Sequence, residues 1–419
     1  MTSSEIKALD AENVMQTYAR FDAVIERGEG ATLYSPEGKE YIDFTSGIGV
    51  SSIGYGNKAW ADAIYAQALK LQHISNLYYS EPYAKLAAQL MARTGMKNVF
   101  FSNAGGEANE GMIKLARKYS FDRYGRGRST IVSLVQSFHG RTITTLAATG
   151  QEVFHNYFFP FTEGFRHVPA NDIKALEELL ETYSAVTASE GTSAFKPITP
   201  IDSVCGVLIE LIQGEGGVLP LDPGYVRGVA RLCADRDILL LVDEVQTGAG
   251  RTGTLFAYQQ YGIEPDVVSF AKGIAGGLPM GGIMANERCA SVLVPGTHAT
   301  TFGGNPVSAA GALEVLRQLD DAALSEVAEK GEYIKGKIRS WGLPIIGEVR
   351  GKGLMVGISL HGAAPKEAAK ACVQNGLLIL TAGVDALRLL PPLVITYGEI
   401  DKGLGILQRV LSETSWKDC

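Results

Sequence analysis

No stretch of the 419-residue sequence approaches the roughly 20 consecutive apolar residues that a membrane-spanning helix needs, so no such helix is expected. Basic charge is also in short supply. Lys and Arg number 38 against 45 Asp and Glu, a net charge of -7, and they are scattered rather than clustered. A nucleic-acid partner is therefore not expected, because backbone phosphates call for concentrated Lys and Arg. The five cysteines (Cys205, Cys233, Cys289, Cys372, Cys419) are far apart and never form a C-x-x-C pair. That fits a reducing compartment and argues against a structural zinc site, and no metal is expected. Met1 to Asp10 contains acidic residues and no apolar core of a secretory signal. The expectation is a cytoplasmic protein without internal repeats or low-complexity tails.

What the sequence does contain is an ordinary globular balance, 46% apolar and 20% charged, over a length suited to two or three intimate domains. Short apolar runs alternate with amphipathic segments through the middle of the chain, the pattern of an α/β fold with a mostly parallel sheet under helices. Strands are predicted at 98–101, 130–135, 204–209, 238–242 and 267–270, several almost purely apolar as buried parallel strands are. Helices are predicted at 107–119 and 225–235. Residues 186–200, rich in Ser, Thr, Gly and Pro, read as a surface loop. Short strands near both ends (31–33, 40–44, and within 347–360 and 377–393) suggest that the termini together form a smaller α/β unit.

Two strand ends carry charge. The run Ile238-Leu-Leu-Leu-Val-Asp-Glu-Val245 places Asp243 and Glu244 at the end of an apolar strand, and Asp266-Val-Val-Ser-Phe-Ala-Lys272 ends the next with a lone lysine. In open α/β sheets the carboxyl edge is where ligands bind, and the intervening residues suffice for a crossover, so Asp243 and Lys272 can face one crevice. Taken singly, Asp243 is as readily a helix N-cap or a metal ligand, and Lys272 a solvated edge residue. A third element, Val99-Phe-Phe-Ser-Asn-Ala-Gly-Gly-Glu-Ala-Asn109, reads as strand, glycine turn, then helix, which suits phosphate binding but also any tight turn. Competing nucleotide motifs fail. Gly331-Glu-Tyr-Ile-Lys-Gly-Lys337 has P-loop spacing, but Ile338 stands where Ser or Thr should bind magnesium, and no G-x-G-x-x-G links a strand to a helix.

Together, Leu241-Val-Asp-Glu-Val-Gln-Thr-Gly-Ala-Gly-Arg-Thr-Gly253, Pro265-Asp266 and Ala271-Lys-Gly-Ile-Ala-Gly-Gly277 resemble the signature of class III (subgroup II) aminotransferases, and the resemblance runs from about Thr17 to Thr396. It implies a fold type I, pyridoxal-5′-phosphate (PLP) dependent transferase. The large domain would span 57–306 around a seven-stranded sheet, and the small domain would comprise 1–56 and 307–419. The resemblance casts Lys272 as the lysine that holds the cofactor as an imine and shuttles the proton, and Asp243 as the partner of the pyridine nitrogen. Gln246 would hydrogen-bond the phenolic oxygen, Phe138 in Ser137-Phe-His-Gly-Arg-Thr142 would stack on the ring, and Gly105 and Gly106 would hold the phosphate. Thr301, in Thr297-His-Ala-Thr-Thr-Phe-Gly-Gly-Asn-Pro306, would reach the phosphate of a neighbouring subunit, which implies a homodimer with shared active sites; otherwise it is a turn threonine.

For the amino-acid and 2-oxo-acid substrates, the resemblance assigns Arg141 to a carboxylate remote from the reacting amine. Glu215 and Arg388 become a switch, Glu215 neutralising Arg388 with a distal-amine donor and swinging aside for glutamate. The segments Thr17-Tyr-Ala-Arg-Phe21, His73-Ile-Ser-Asn-Leu-Tyr-Tyr79 and Leu380-Thr-Ala-Gly383 are most similar to those of acetylornithine aminotransferases, which places Tyr18 and residues 76–79, Asn76 first, near the substrate. Rival readings are a relative acting on ornithine, succinylornithine or 4-aminobutyrate, and a catalytically silent homologue. The chain departs from the family pattern at Ala104, usually Ser or Thr, at Gly106, usually Ala or Thr, at Leu211, usually Pro, and at Gly54-Tyr-Gly-Asn57, which lacks the usual histidines. None of these removes a catalytic group.

Overall fold

Mostly apolar runs, several of them delivered by a preceding helix, build the central sheet. The computed structural model describes residues 1–188, 203–362 and 365–413. Seven strands form the large sheet: β1 Asn98–Ser102, β2 Arg128–Leu134, β3 Phe165–Val168, β4 Ser203–Ile209, β5 Leu239–Asp243, β6 Val267–Phe270 and β7 Gly281–Ala285. Their order is β1-β7-β6-β5-β4-β2-β3. Strands β6, β5, β4, β2 and β3 run parallel, and β7 is antiparallel to both of its neighbours, β6 and β1. The expected seven-stranded, mostly parallel α/β sheet is therefore present.

Side chains leave a strand on alternate faces. Leu240 and Val242 of β5 join one large apolar core, while Leu239 and Leu241 join a second on the opposite face. Helices cover both faces, among them Gly105–Tyr124 and Pro223–Asp235, each longer at its start than the sequence reading by two residues. Two strands were not foreseen, β3 and β7. Residues 186–188, expected in a loop, continue the helix Ile173–Ala188, and the rest of that expected loop, 189–200, lies outside the described residues.

Both ends of the chain share a third core, in which Ala31, Ile42, Phe44 and Ile53 pack with Val356, Ile358, Leu387, Leu389 and Leu407. The strand Glu40–Asp43 pairs in parallel with Leu377–Leu378, so the N-terminal and C-terminal segments are hydrogen-bonded to each other. The strands Ile346–Lys352, Met355–Leu360, Leu380–Ala382 and Ala386–Leu389 form an antiparallel sheet beside them. Arg251 fastens this unit to the centre. Its guanidinium donates to the carbonyls of Leu354 (3.0 Å) and Pro391 (2.5 Å) and to Ser46 Oγ (3.3 Å). Burial pushes that guanidinium down to about 9, with Asp43 opposing the shift.

Candidate active site

The carboxyl ends of the parallel strands open onto a cavity of about 750 Å³, ample for a cofactor and a small substrate. The strand-end pair splits as strand geometry requires. Asp243 lines the cavity, while Glu244 is fully buried elsewhere, accepting from Thr247 Oγ1 and from the backbone N–H groups of Ala257 and Tyr258. Glu244 is thus a structural anchor for the short turn Ala257–Gln260, and burial raises its carboxyl to about 7.

Asp243 is only 4% exposed and heavily constrained. Its Oδ2 accepts from Asn109 Nδ2 (2.7 Å) and from His139 Nδ1 (2.8 Å), and its Oδ1 from the backbone N–H of Val245 (3.0 Å) and Ser269 Oγ (3.3 Å). Asn109 also donates to the carbonyl of His139 at 2.7 Å, closing the network. A carboxylate fixed in this way at a cavity wall suits a cationic ring N–H.

Lys272 follows β6, three residues beyond Ser269, which is in register with Asp243. Its backbone φ is 49°, a left-handed conformation that costs a non-glycine residue about 1 kcal/mol or more. Such strain persists only where the surroundings over-determine it. The side chain touches the open cavity, but dense surroundings push its amine down to about 8. Burial is the largest cause, and Glu215 opposes it while Arg388 reinforces it. A larger fraction of neutral, nucleophilic amine results near neutral pH.

Opposite the lysine, the 20-residue helix Gly105–Tyr124 points its N-terminus at the cavity with no side-chain cap, since its N-cap is Ala104. The uncapped N–H groups and the helix dipole are what a phosphate requires. Gly105 is dictated by close approach, because a Cβ there would sit 2.6 Å from Val245 Cγ1, whereas one at Gly106 would meet nothing nearer than Thr142 Cγ2 at 3.7 Å. Phe138 lines the same cavity, and its backbone N–H donates to Glu210 Oε2 at 2.8 Å. Nucleophilic amine, ring-nitrogen partner, aromatic face and phosphate cradle are present together, so these residues fit PLP.

Arg388 is 2% exposed and donates from Nη1 to Glu215 Oε1 (2.5 Å) and to Gln246 Oε1 (3.1 Å), with Gln246 Nε2 returning a bond to Glu215 at 3.4 Å. Burial alone would raise the Glu215 carboxyl, but the charge and hydrogen bond of Arg388 hold it below the usual range. Arg141 also lines the cavity, its guanidinium over the ring of Phe154.

Four expected site residues do not line the cavity of a single chain: Arg388, which meets it only through Glu215 and Gln246, and Tyr18, Asn76 and Thr301. Tyr18 is 74% exposed beside Arg20. Asn76 donates to the carbonyls of Thr300 and Gly303, so it abuts the exposed loop that carries Thr301. Sequence reasoning missed Asn109, His139 and Glu210. His139 stands inside the Ser137–Thr142 motif already singled out, and Glu210 repeats the strand-end charge that drew notice to Asp243. Asn109 carried only the signal of lying one helical turn beyond the glycine pair.

A model of the aminotransferase class-III family matches residues 14–411. The chain is 48% identical over 414 residues to the acetylornithine aminotransferase of Haemophilus ducreyi, covering 99% of this chain and 100% of that protein. It is 43% identical to that of Caldanaerobacter subterraneus, covering 96% and 97%. Among solved structures it is similar to the ornithine aminotransferase of Toxoplasma gondii, described with partial PLP occupancy at its active site (TM-score 0.89, 30% identity, covering 98% and 94%). It is also similar to the N-acetylornithine aminotransferase of Stenotrophomonas maltophilia (TM-score 0.79, 33% identity, covering 97% and 98%). With this match along nearly its whole length, the chain belongs to the class-III aminotransferases, PLP-dependent enzymes that exchange amino groups between amino acids and 2-oxo acids.

Proposed function

We propose that this enzyme moves the δ-amino group of N²-acetylornithine to 2-oxoglutarate, giving N-acetylglutamate 5-semialdehyde and glutamate, a step of arginine biosynthesis. The observation that carries this reading is the contrast between two arginines, Arg141 in the cavity wall and Arg388 buried beside Glu215, which lines the cavity. Arg388 is buried and neutralised by Glu215, whereas Arg141 has no hydrogen-bonded partner among the described residues. With the acetylated donor, Arg141 binds the single carboxylate and the Glu215–Arg388 pair stays closed beside an apolar chain. With glutamate or 2-oxoglutarate, Glu215 moves aside, so that Arg388 binds the α-carboxylate and Arg141 the distal one. The substrate names of relatives at 43–48% identity support the choice of donor.

Bound PLP supplies an electron sink for the carbon that loses its proton. The other roles belong to the chain. Lys272 Nζ holds the cofactor at rest and carries the proton to and from the reacting carbon. Asp243 holds the ring nitrogen in its charged form, supported by His139 and Asn109. Phe138 covers one ring face, Gln246 is placed for the phenolic oxygen, and the backbone at Gly105 and Gly106 holds the phosphate.

Domain limits, assembly and location belong to the same reading. The domains are 57–306 for the cofactor and 1–56 with 307–419 for the smaller unit, supported by the shared terminal core. The active form is a homodimer in which Thr301 serves the partner's phosphate and Asn76 and Tyr18 approach a substrate. It is supported by exposed Leu77, Tyr78, Tyr79 and Phe302 around the Asn76–Thr300 contact. The location is cytoplasmic, supported by four buried cysteines without disulfides. No helix among the described residues is long and apolar enough to cross a membrane.

A second reading, ornithine as donor, is favoured by the 0.89 TM-score to the T. gondii enzyme. Half-reaction rates with the two donors test the choice. A free α-ammonium needs an acceptor in the distal pocket, and the acetyl group does not.

A further inference from the structure

We propose that Phe154 is a positioning residue that holds Arg141 by its flat face, leaving its N–H edge free for the substrate carboxylate. The inference rests on the proposed role of Arg141 as a carboxylate ligand. The guanidinium carbon of Arg141 lies 4.1 Å from the Phe154 ring centre and 5.6 Å from that of Phe138. The two rings meet edge to face, 5.7 Å apart and inclined at 74°. Phe154 therefore touches both the substrate arginine and the aromatic on the cofactor face.

An exposed arginine without an ion-pair partner normally samples many rotamers, and its fork must be ordered when an anion binds. Two means of ordering it in advance exist. A carboxylate partner would occupy the N–H groups and compete with substrate, as Glu215 does for Arg388. A π face attracts the cation through the ring quadrupole and occupies none of its five N–H donors. The site uses both devices. Arg388 is available only when Glu215 withdraws, and Arg141 is available always.

The turn that carries Phe154 is built to stay in place. Gln151 Nε2 donates to the carbonyls of Gln136 (3.3 Å) and Ser137 (3.2 Å), and Gly150 N donates to Ser137 O at 3.2 Å. On the far side, His155 Nε2 lies 2.9 Å from the carbonyl of Leu146. The short helical turn Glu152–Phe154 between these anchors is thus tied to the loop of Phe138 and to the helix Ile143–Ala148. A ring at position 154 is held against Arg141 rather than swinging in solvent.

The test compares the holoenzyme with Phe154→Leu, Phe154→Tyr and Arg141→Ala variants, and with 3,4,5-trifluorophenylalanine at 154, which keeps the ring's shape but drains its π face. Calorimetric affinity for glutarate, a dicarboxylate with no reacting group, is the binding readout. The KM and kcat for 2-oxoglutarate and for 2-oxopentanoate, which lacks the distal carboxylate, are the kinetic ones. Phe154→Leu and the fluorinated ring should weaken glutarate binding and raise the 2-oxoglutarate KM by about 3- to 30-fold, with kcat held, 2-oxopentanoate unaffected and Phe154→Tyr close to the parent. Parent-like glutarate affinity in the leucine and fluorinated proteins, where Arg141→Ala weakens it, overturns this inference alone. Unchanged glutarate affinity in Arg141→Ala overturns the carboxylate role of Arg141, and the inference with it.

Discussion

Arg388 Nη1 lies 2.5 Å from Glu215 Oε1; the arginine is buried, while the carboxylate faces the cavity that Lys272 also lines. A buried arginine with a single carboxylate partner is strongly biased toward that partner, and any α-carboxylate must displace it. Under the proposed switch, a substrate carboxylate competes with a residue of the protein itself.

Arg388→Ala should lower kcat/KM for the 2-oxoglutarate half-reaction by about 10²-fold or more, the scale of a lost charge-assisted pair, and damage the acetylornithine half-reaction far less. Single-turnover absorbance changes with each substrate check this. Equal loss in both directions removes the switch.

Asp243→Asn should fold normally yet lose turnover by at least about 10²-fold, because a neutral amide no longer holds the ring nitrogen in its charged form. The amide oxygen can keep the bonds from Val245 and Ser269 while the new amide nitrogen faces Asn109 and His139, so circular dichroism should be close to the parent with some loss of thermal stability. Near-normal kcat in a folded Asp243→Asn protein contradicts the assignment.

The lysine makes a pH prediction. Burial pushes it down from the ordinary 10.5 to about 8, so the folded apoprotein disfavours the charged amine. The destabilisation is complete below about pH 8 and fades as pH rises toward 10.5, because in that window the unfolded chain binds more protons. Lys272→Met should therefore stabilise the apoprotein at pH 7 and flatten that part of its stability profile. In the parent, the rate of chromophore formation on adding PLP should rise with pH about a midpoint near 8; a midpoint near 10.5 contradicts it.

The adjacent glycines should behave differently. Gly106→Ala has room and should stabilise the helix by about 0.4–1 kcal/mol through the unfolded chain. Gly105→Ala drives a Cβ against Val245 and should lower both stability and PLP retention. Thermal unfolding and dialysis of the cofactor measure the pair, and equal effects at both positions would sink the steric argument.

Much of this site was legible because its chemistry sits at strand ends, where one charge after an apolar run is conspicuous. Asp243 and Lys272 are such charges, and parallel pairing of their strands places them on one edge. Strand β7 was missed because Gly281 and Gly282 weaken strand propensity. They are there for packing, since a Cβ at Gly282 would lie 2.5 Å from the Phe100 carbonyl and 2.7 Å from the Phe270 ring. Strand β3 was missed because it is a four-residue sheet edge with Arg166 and His167 in its middle. The supporting shell, with His139 and Asn109 on Asp243 and Phe154 under Arg141, arises from contacts between distant segments. No local period encodes those. Thr301, Asn76 and Tyr18 belong to surfaces that a single chain leaves open.

The central claim is the identity of the amino donor. Rates of conversion of the PLP form to the pyridoxamine form, followed by absorbance under single-turnover conditions, rank acetylornithine, succinylornithine, ornithine and 4-aminobutyrate directly. The account predicts that acetylornithine reacts with the highest kcat/KM, at least about tenfold above ornithine, since an unpaired α-ammonium in the distal pocket costs on the order of 1–3 kcal/mol. A higher kcat/KM for ornithine than for acetylornithine would contradict it.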